Sequence, residues 1–224
     1  DLGTDQCALE IESDASEGES ILRVPLRGEG TNISRQTDVF EQVSGREVDV
    51  LFVIDGSGSM SEEQRNVADN LGQFLQTAEL LDNEFQIGVT HLDLGSTQDF
   101  QGQNYEAGEL IGDPPFLTPS TPNYQTEFSN RVRMGATGGS QEAGLEAARI
   151  ALSDPFITDE GTACNRDADC AEPYNFCRQG TCGGRNAGFL REDASLEVVI
   201  VSDEEDQSTA TPAFYTDFFR SIKG

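Results

Sequence analysis

The clearest signal along the chain is residues 48–54, a nearly continuous apolar run broken by Asp49. Such a run predicts a strand buried on both faces of a parallel sheet. Over residues 61–81 the spacing changes: Val67, Leu71, Phe74, Leu75 and Ala78 recur at i, i+4, i+7, i+8 and i+11, one face of a helix. Ser61 with Gln64 three residues on has the form of a capping box at its start. Phe85, Ile87 and Val89 alternate as a second strand. Residues 94–123 hold several Gly and Pro and read as loop, with a short edge strand at 109–111, and 124–133 reads as a short helix. A second confident helix spans 140–152, with Leu145, Ala148 and Leu152 on one side. Residues 196–201 repeat the buried-strand pattern. The last helix, 211–223, takes Thr211 as N-cap and Pro212 at its first position, with Phe214 and Phe218 on one face.

Strands alternating with helices predict an α/β fold with a doubly wound, mostly parallel sheet flanked by helices. Ligands of such sheets bind beyond the carboxyl ends of the strands. Two segments stand outside this pattern. Residues 1–30 carry two weakly alternating runs around a polar stretch at 13–20, a hairpin pattern. The closing "RVPLRGEGT" resembles the last strands of immunoglobulin-like modules common in bacterial surface proteins. Residues 31–46 are polar and read as a linker, so the main domain is 47–224, with an insertion at about 154–193.

The insertion holds four of the five cysteines, Cys164, Cys170, Cys177 and Cys182. Their spacings lack the C-x2-C pairs of structural zinc sites. They read as two disulfides of undetermined connectivity, and so as an oxidising compartment: extracellular, cell-surface or periplasmic. Cys7 is left over, and its partner is expected upstream of Asp1. The chain starts without Met and without a signal region, as a processed or trimmed product would. Charge narrows the function. With 41 Asp+Glu against 14 Lys+Arg the formal charge is −27. Nucleic-acid binding is close to excluded and an anionic membrane surface is disfavoured. No apolar run approaches the ~18 residues of a membrane span.

The first buried strand runs into "DGSGSM", Asp55 to Met60. A P-loop would need a Lys here, a dinucleotide fingerprint a third Gly at the place of Ser61, and a nucleophile elbow Gly-x-Ser-x-Gly with a histidine base, for which His91 is the sole candidate. An aspartyl phosphatase would need Asp in place of Ser57. What fits is Asp-x-Ser-x-Ser: Asp55, Ser57 and Ser59 can turn a carboxylate and two hydroxyls to one point, as ligands for a hard divalent cation. The bland alternative is a Gly/Ser turn ahead of a helix.

"VDVLFVIDGSGSMSEE" resembles the first metal loop of a von Willebrand factor type A domain with a metal-ion-dependent adhesion site, as in integrin I domains. "GATGGSQEAGLEAA" resembles the second loop and "VVIVSDEED" the third, so the resemblance spans about 47–224. It implies one divalent cation, Mg2+ first and Ca2+ or Mn2+ as alternatives, on Asp55, Ser57, Ser59 and Asp203. The second-loop ligand is Glu142 by likeness to integrin β subunits, with Thr137 second and Ser140 in reach. Glu142 is expected in the first turn of its helix, where the dipole favours its charge. Glu62 and Glu63 match an acidic pair at an adjacent metal site in those subunits, although acids in a helix first turn need no metal. Glu204, Glu205 and Asp206 read as a solvated acidic loop, His91 as structural, and Asp167 and Asp169 as part of a stapled loop more than a Ca2+ site.

The resemblance implies a non-enzymatic adhesion or protein-binding domain whose cation captures an Asp or Glu of a protein partner. The alternatives are a structural subunit of a surface or secreted assembly with a silent site and, further off, a metal-assisted hydrolase. The family has one more strand and helix after the segment matching 211–223, so completion by another segment or subunit is expected.

Overall fold

In the computed structural model the residues described are 4–12, 21–29, 47–80, 84–99, 101–134 and 142–223, with backbone alone for 4–12, 21–29 and 71–80. The chain divides into two compact units, Asp1–Gln42 and Val43–Gly224. In the first, β1 (Thr4–Glu12) and β2 (Ile21–Glu29) form an antiparallel hairpin with Cys7 opposite Leu26. The expected turn at 13–20, the linker 31–46 and the thiol of Cys7 lie outside the described residues.

The second unit is built on β3 (Glu47–Ile54), α1 (Ser61–Leu80), β4 (Glu84–His91), β5 (Thr97–Gln98), β6 (Asn104–Tyr105), β7 (Phe116–Leu117), α2 (Tyr124–Val132), α3 (Gly144–Ala151), β8 (Asp159–Ala163), β9 (Phe176–Arg178), β10 (Thr181–Gly183), β11 (Ser195–Val201) and α4 (Pro212–Ser221). The central sheet has the order β11-β3-β4-β7. β11, β3 and β4 are parallel, and β7 closes the far side antiparallel through Ile87 opposite Leu117. The architecture is therefore mixed α/β with a mostly parallel sheet flanked by helices.

β3 is central because it is apolar on both faces. Phe52 and Ile54 pack with Phe85, Ile87 and Val89 against Phe128 and Val132 of α2 and Ala68 of α1. Leu51 and Val53 face the other way, against Ala147, Ala148 and Ala151 of α3, with Phe218 and Phe219 of α4 packed on that cluster. Leu51, Val53 and Ile54 are fully buried, and each such side chain contributes ~1.5–3 kcal/mol through burial. Asp49, the polar residue in this run, is also fully buried. It pairs with Arg191 Nε at 2.8 Å and Lys223 Nζ at 3.2 Å.

Several expectations shift. β11, predicted as a buried strand, is the edge of the sheet, and Val199 and Ile200 remain 36% and 37% exposed because only β3 flanks it among the described residues. Residues 109–111 are not a strand. They run beside β4, with the Ile111 amide donating to the Val89 carbonyl at 2.8 Å and Thr90 Oγ1 to the Glu109 carbonyl at 2.9 Å, while β7 takes the edge. α3 starts at Gly144, not 140. In α4, Thr211 caps as expected, its Oγ1 accepting from the Phe214 amide at 3.3 Å, but Phe214 is 51% exposed and Tyr215 is the fully buried ring.

The insertion folds as a three-stranded sheet, β8-β10-β9. Cys164 bonds Cys177 and Cys170 bonds Cys182, which settles the connectivity left open by sequence. Two such bridges point to an oxidising compartment of the extracellular type. Among the described residues no helix is long and apolar enough to cross a membrane.

Candidate functional site

At the carboxyl end of β3 the chain turns through Asp55, Gly56 and Ser57 into a 3-10 turn, Gly58–Met60, that leads into α1. Met60 is buried and anchors the turn, which leaves Gly58 and Ser59 at the surface. Asp55 is 1% exposed and held from three sides. Its Oδ1 accepts from the Ser57 amide at 2.7 Å, its Oδ2 from Ser202 Oγ at 2.9 Å, and its carbonyl from Gln64 Nε2 at 2.7 Å. Gln64, expected to close a capping box with Ser61, fixes the loop end of β3. The Ser61 hydroxyl donates back to the Gly58 carbonyl at 3.3 Å. Ser57 Oγ and Ser59 Oγ stand 3.0 Å apart. The two hydroxyls of the expected Asp55, Ser57 and Ser59 set thus meet each other, while the Asp55 carboxylate reaches the loop through the Ser57 amide.

The second strand end brings in Glu142. It does not sit in a helix first turn: it forms an isolated antiparallel bridge with Asp93, just past β4, two residues before α3 begins. The Ala143 amide donates to the Leu92 carbonyl at 3.2 Å and continues that pairing. Glu142 is 8% exposed, and its Oε2 is buried with no hydrogen-bond partner. Burial pushes its carboxyl up from the usual range, and the charges of Asp55, Glu204, Asp203 and Asp93 push it further. A buried acceptor without a donor costs ~1–3 kcal/mol, more when charged. Thr137 and Ser140 lie outside the described residues.

The third loop follows β11. Asp203 and Glu204 are exposed beside the end of that strand, and the Glu204 amide donates to Ser202 Oγ at 3.1 Å. Asp206, exposed as expected of a solvated acidic loop, also caps α3. Its Oδ2 accepts from the Leu145 amide at 2.9 Å and its Oδ1 from the Ser208 amide at 2.7 Å. The Gln207 amide donates to the Glu142 carbonyl at 2.7 Å, and the Glu146 amide to Ser208 Oγ at 3.0 Å. The 202–208 loop therefore ties the first loop to the second. Sequence reading missed Ser202, Asp93 and the capping role of Asp206. A hydroxyl directly before the strand-end Asp203 was the only local signal for any of them.

Glu62 and Glu63 stand exposed in the first turn of α1, as the dipole favours. His91 is 1% exposed at the end of β4. Its Nε2 meets the Glu106 carbonyl at 3.2 Å, Nδ1 has no partner, and burial lowers its pKa from 6.5. In the insertion, Asp167 Oδ1 accepts from the Cys177 amide and Asp169 Oδ2 from the Asn165 amide, so both carboxylates serve the stapled loop.

The donor set fits a hard divalent cation in kind: carboxylates and hydroxyls, with one buried carboxylate oxygen lacking any donor. It is not closed around a point. Among the described residues the group of His, Cys, Asp or Glu ligand atoms lying within 4.8 Å of one another is Cys164, Cys170 and Cys182, whose sulfurs are spent in disulfides. Among the described residues no three carboxylates of the crest bring their oxygens within 4.8 Å of one another. No protein-family model matches the chain, and no curated protein matches it.

Proposed function

We propose that this chain carries a metal-dependent protein-binding domain of the von Willebrand factor type A kind, at a cell surface or in a secreted or periplasmic assembly. The observation that carries the reading is Glu142 Oε2, buried without a donor and facing the influence of Asp55, Asp203, Glu204 and Asp93. A cation relieves both the missing partner and the mutual repulsion. Asp55, Ser57 and Ser59 from the first loop, Glu142 from the second and Asp203 from the third would hold it. Bound there, the ion supplies an open coordination position that a partner's carboxylate completes. The protein holds the loops in register: Ser202 fixes the Asp55 carboxylate, and Gln207 fixes the Glu142 backbone.

The ion is not needed for folding, because the core lies between the sheet and its helices. At free ion about tenfold above Kd, linkage adds ~1.4 kcal/mol, a rise of roughly 3–6 °C in Tm for a domain of this size. Melting in Mg2+, Mn2+ or Ca2+ against chelator tests the reading. Three unmoved transitions would leave the alternative of a structural subunit with a silent site. Asp203→Asn, at an exposed carboxylate, should remove the ion-dependent rise while leaving the chelated protein unchanged.

A further inference from the structure

Resting on the metal reading just given, the crest has a charge problem that one ion does not solve. Four carboxylates, Asp55, Glu204, Asp203 and Asp93, act on the buried Glu142 there, and Asp93 also meets it in a backbone bridge, which makes five acids in all. A single divalent ion neutralises fewer than half of them. Glu62 and Glu63, exposed in the first turn of α1 just after the first loop, add to the excess. Several of the described cations are paired with other carboxylates. Arg133 pairs with Asp69, Arg149 with Glu146, Arg178 with Asp113, and Arg191 and Lys223 with Asp49. Glu142, nine-tenths buried with a free Oε2, marks this as a site and not merely a patch of solvated acid.

A carboxylate approaching a loaded site therefore meets an ion that attracts it and a surrounding field that repels it. At the surface such a field is screened over ~8 Å at physiological salt. Across protein interfaces, like-charge juxtaposition works against association and complementary charge raises the on-rate. We infer that the partner presents its metal-seeking Asp or Glu inside a cluster of Lys or Arg, so that the basic neighbours meet Asp93, Glu204 and the α1 acids while the carboxylate meets the ion. The partner surface is thus basic overall, with one acidic residue at its centre.

Three labelled peptides test this by fluorescence anisotropy on the whole chain: Asp between Lys pairs, Asp between Glu pairs, and Asn between Lys pairs. Each is titrated at low and at high salt, in Mg2+ and in chelator. The expected result is that the Lys-flanked Asp peptide binds at least about tenfold more tightly than the Glu-flanked one at low salt, with the ratio shrinking as salt rises. Its binding should need Mg2+ and should fall on change of Asp to Asn in the peptide. It should also fall in Asp203→Asn, whose chelated melting curve reports that the fold is intact. Equal or tighter Mg2+-dependent binding of the Glu-flanked peptide overturns the inference and leaves the metal reading standing. Binding of the Asn peptide as tightly as the Asp peptide, indifferent to chelator, overturns the metal reading and this inference with it. Calorimetry giving two Mg2+ per chain at the crest, or no binding of any peptide in the millimolar range, overturns the inference as well.

Discussion

Ser202 Oγ donates a 2.9 Å hydrogen bond to Oδ2 of Asp55, across 147 residues of sequence. The pair joins the end of the edge strand β11 to the end of the central strand β3, and these two ends carry two of the three loops of the candidate site. Because Asp55 Oδ1 already accepts from the Ser57 amide, the serine removes the remaining freedom of the carboxylate.

Ser202→Ala should therefore weaken the ion without unfolding the domain. A hydrogen bond to a charged group is worth ~1.5–3 kcal/mol, and this one is part-buried, so the lower end applies. Calorimetric titration with Mg2+ should show Kd rising about tenfold with stoichiometry unchanged. An unchanged Kd would mean that Asp55 is held by its own loop alone.

Glu142→Gln should have opposite effects with and without metal. In chelator, at neutral pH, the amide removes a buried charge from among four carboxylates and offers donors to them. The chelated protein should gain stability, read as a higher Tm. In Mg2+ the wild type should gain and the variant should not, so the order reverses. A variant less stable than wild type in chelator would show that Glu142 is satisfied in the free protein.

The parts of this site legible in sequence are the local ones. Asp55, Ser57 and Ser59 share one tight loop, so the meeting of the two hydroxyls and the Asp55 contact to the Ser57 amide follow from spacing. β3 was legible because its residues are apolar on both faces, which only a central position explains. The same composition misled at β11: "LEVVIV" records apolar residues but not how many neighbours the strand has, and it is an edge. The start of α3 was misplaced for a related reason. Its cap, Asp206, comes from 61 residues downstream of Leu145, and nothing in the local sequence marks it. Asp93 meets Glu142 only through the bridge that sheet assembly creates.

His91 gives a pH test. Burial lowers its pKa below 6.5, while the unfolded chain keeps the ordinary value. Above about 6.5 both states are neutral and stability is flat. As pH falls below it, the unfolded chain takes up the proton first, so stability drops until the folded value is passed. Glu146, held below its usual range by Arg149, with burial opposing and Tyr215 assisting, acts only at lower pH. The raised Glu142 carboxyl works in the opposite direction but equally in both proteins, so between about pH 6.5 and 5 the denaturant midpoint of wild type should fall relative to that of His91→Gln. A difference between the two proteins that stays constant over that window would place the titration elsewhere.

Asp49 is the charged residue inside the most apolar strand, and its partners show why it is tolerated. It is fully buried, takes the Arg191 amide and Nε at 2.8 Å each, and meets Lys223 Nζ at 3.2 Å. Lys223 also donates to the Arg191 carbonyl. One carboxylate thus fastens the exit of the disulfide-bearing insertion and the end of α4 to β3. Removing one partner of a buried ionic cluster leaves the others uncompensated, at a cost of ~3–5 kcal/mol. Arg191 and Lys223 retain some solvent contact, so Asp49→Ala should fall near the lower bound, and Asp49→Asn, which keeps an acceptor, should lose less. Urea unfolding should show a lower midpoint with an unchanged slope, since the surface exposed on unfolding is the same. The Mg2+-dependent rise in Tm should persist in both variants, because Asp49 lies at the opposite end of β3 from Asp55. Loss of that rise would mean that the two ends of the strand are coupled and that the crest depends on how the insertion and α4 are fastened.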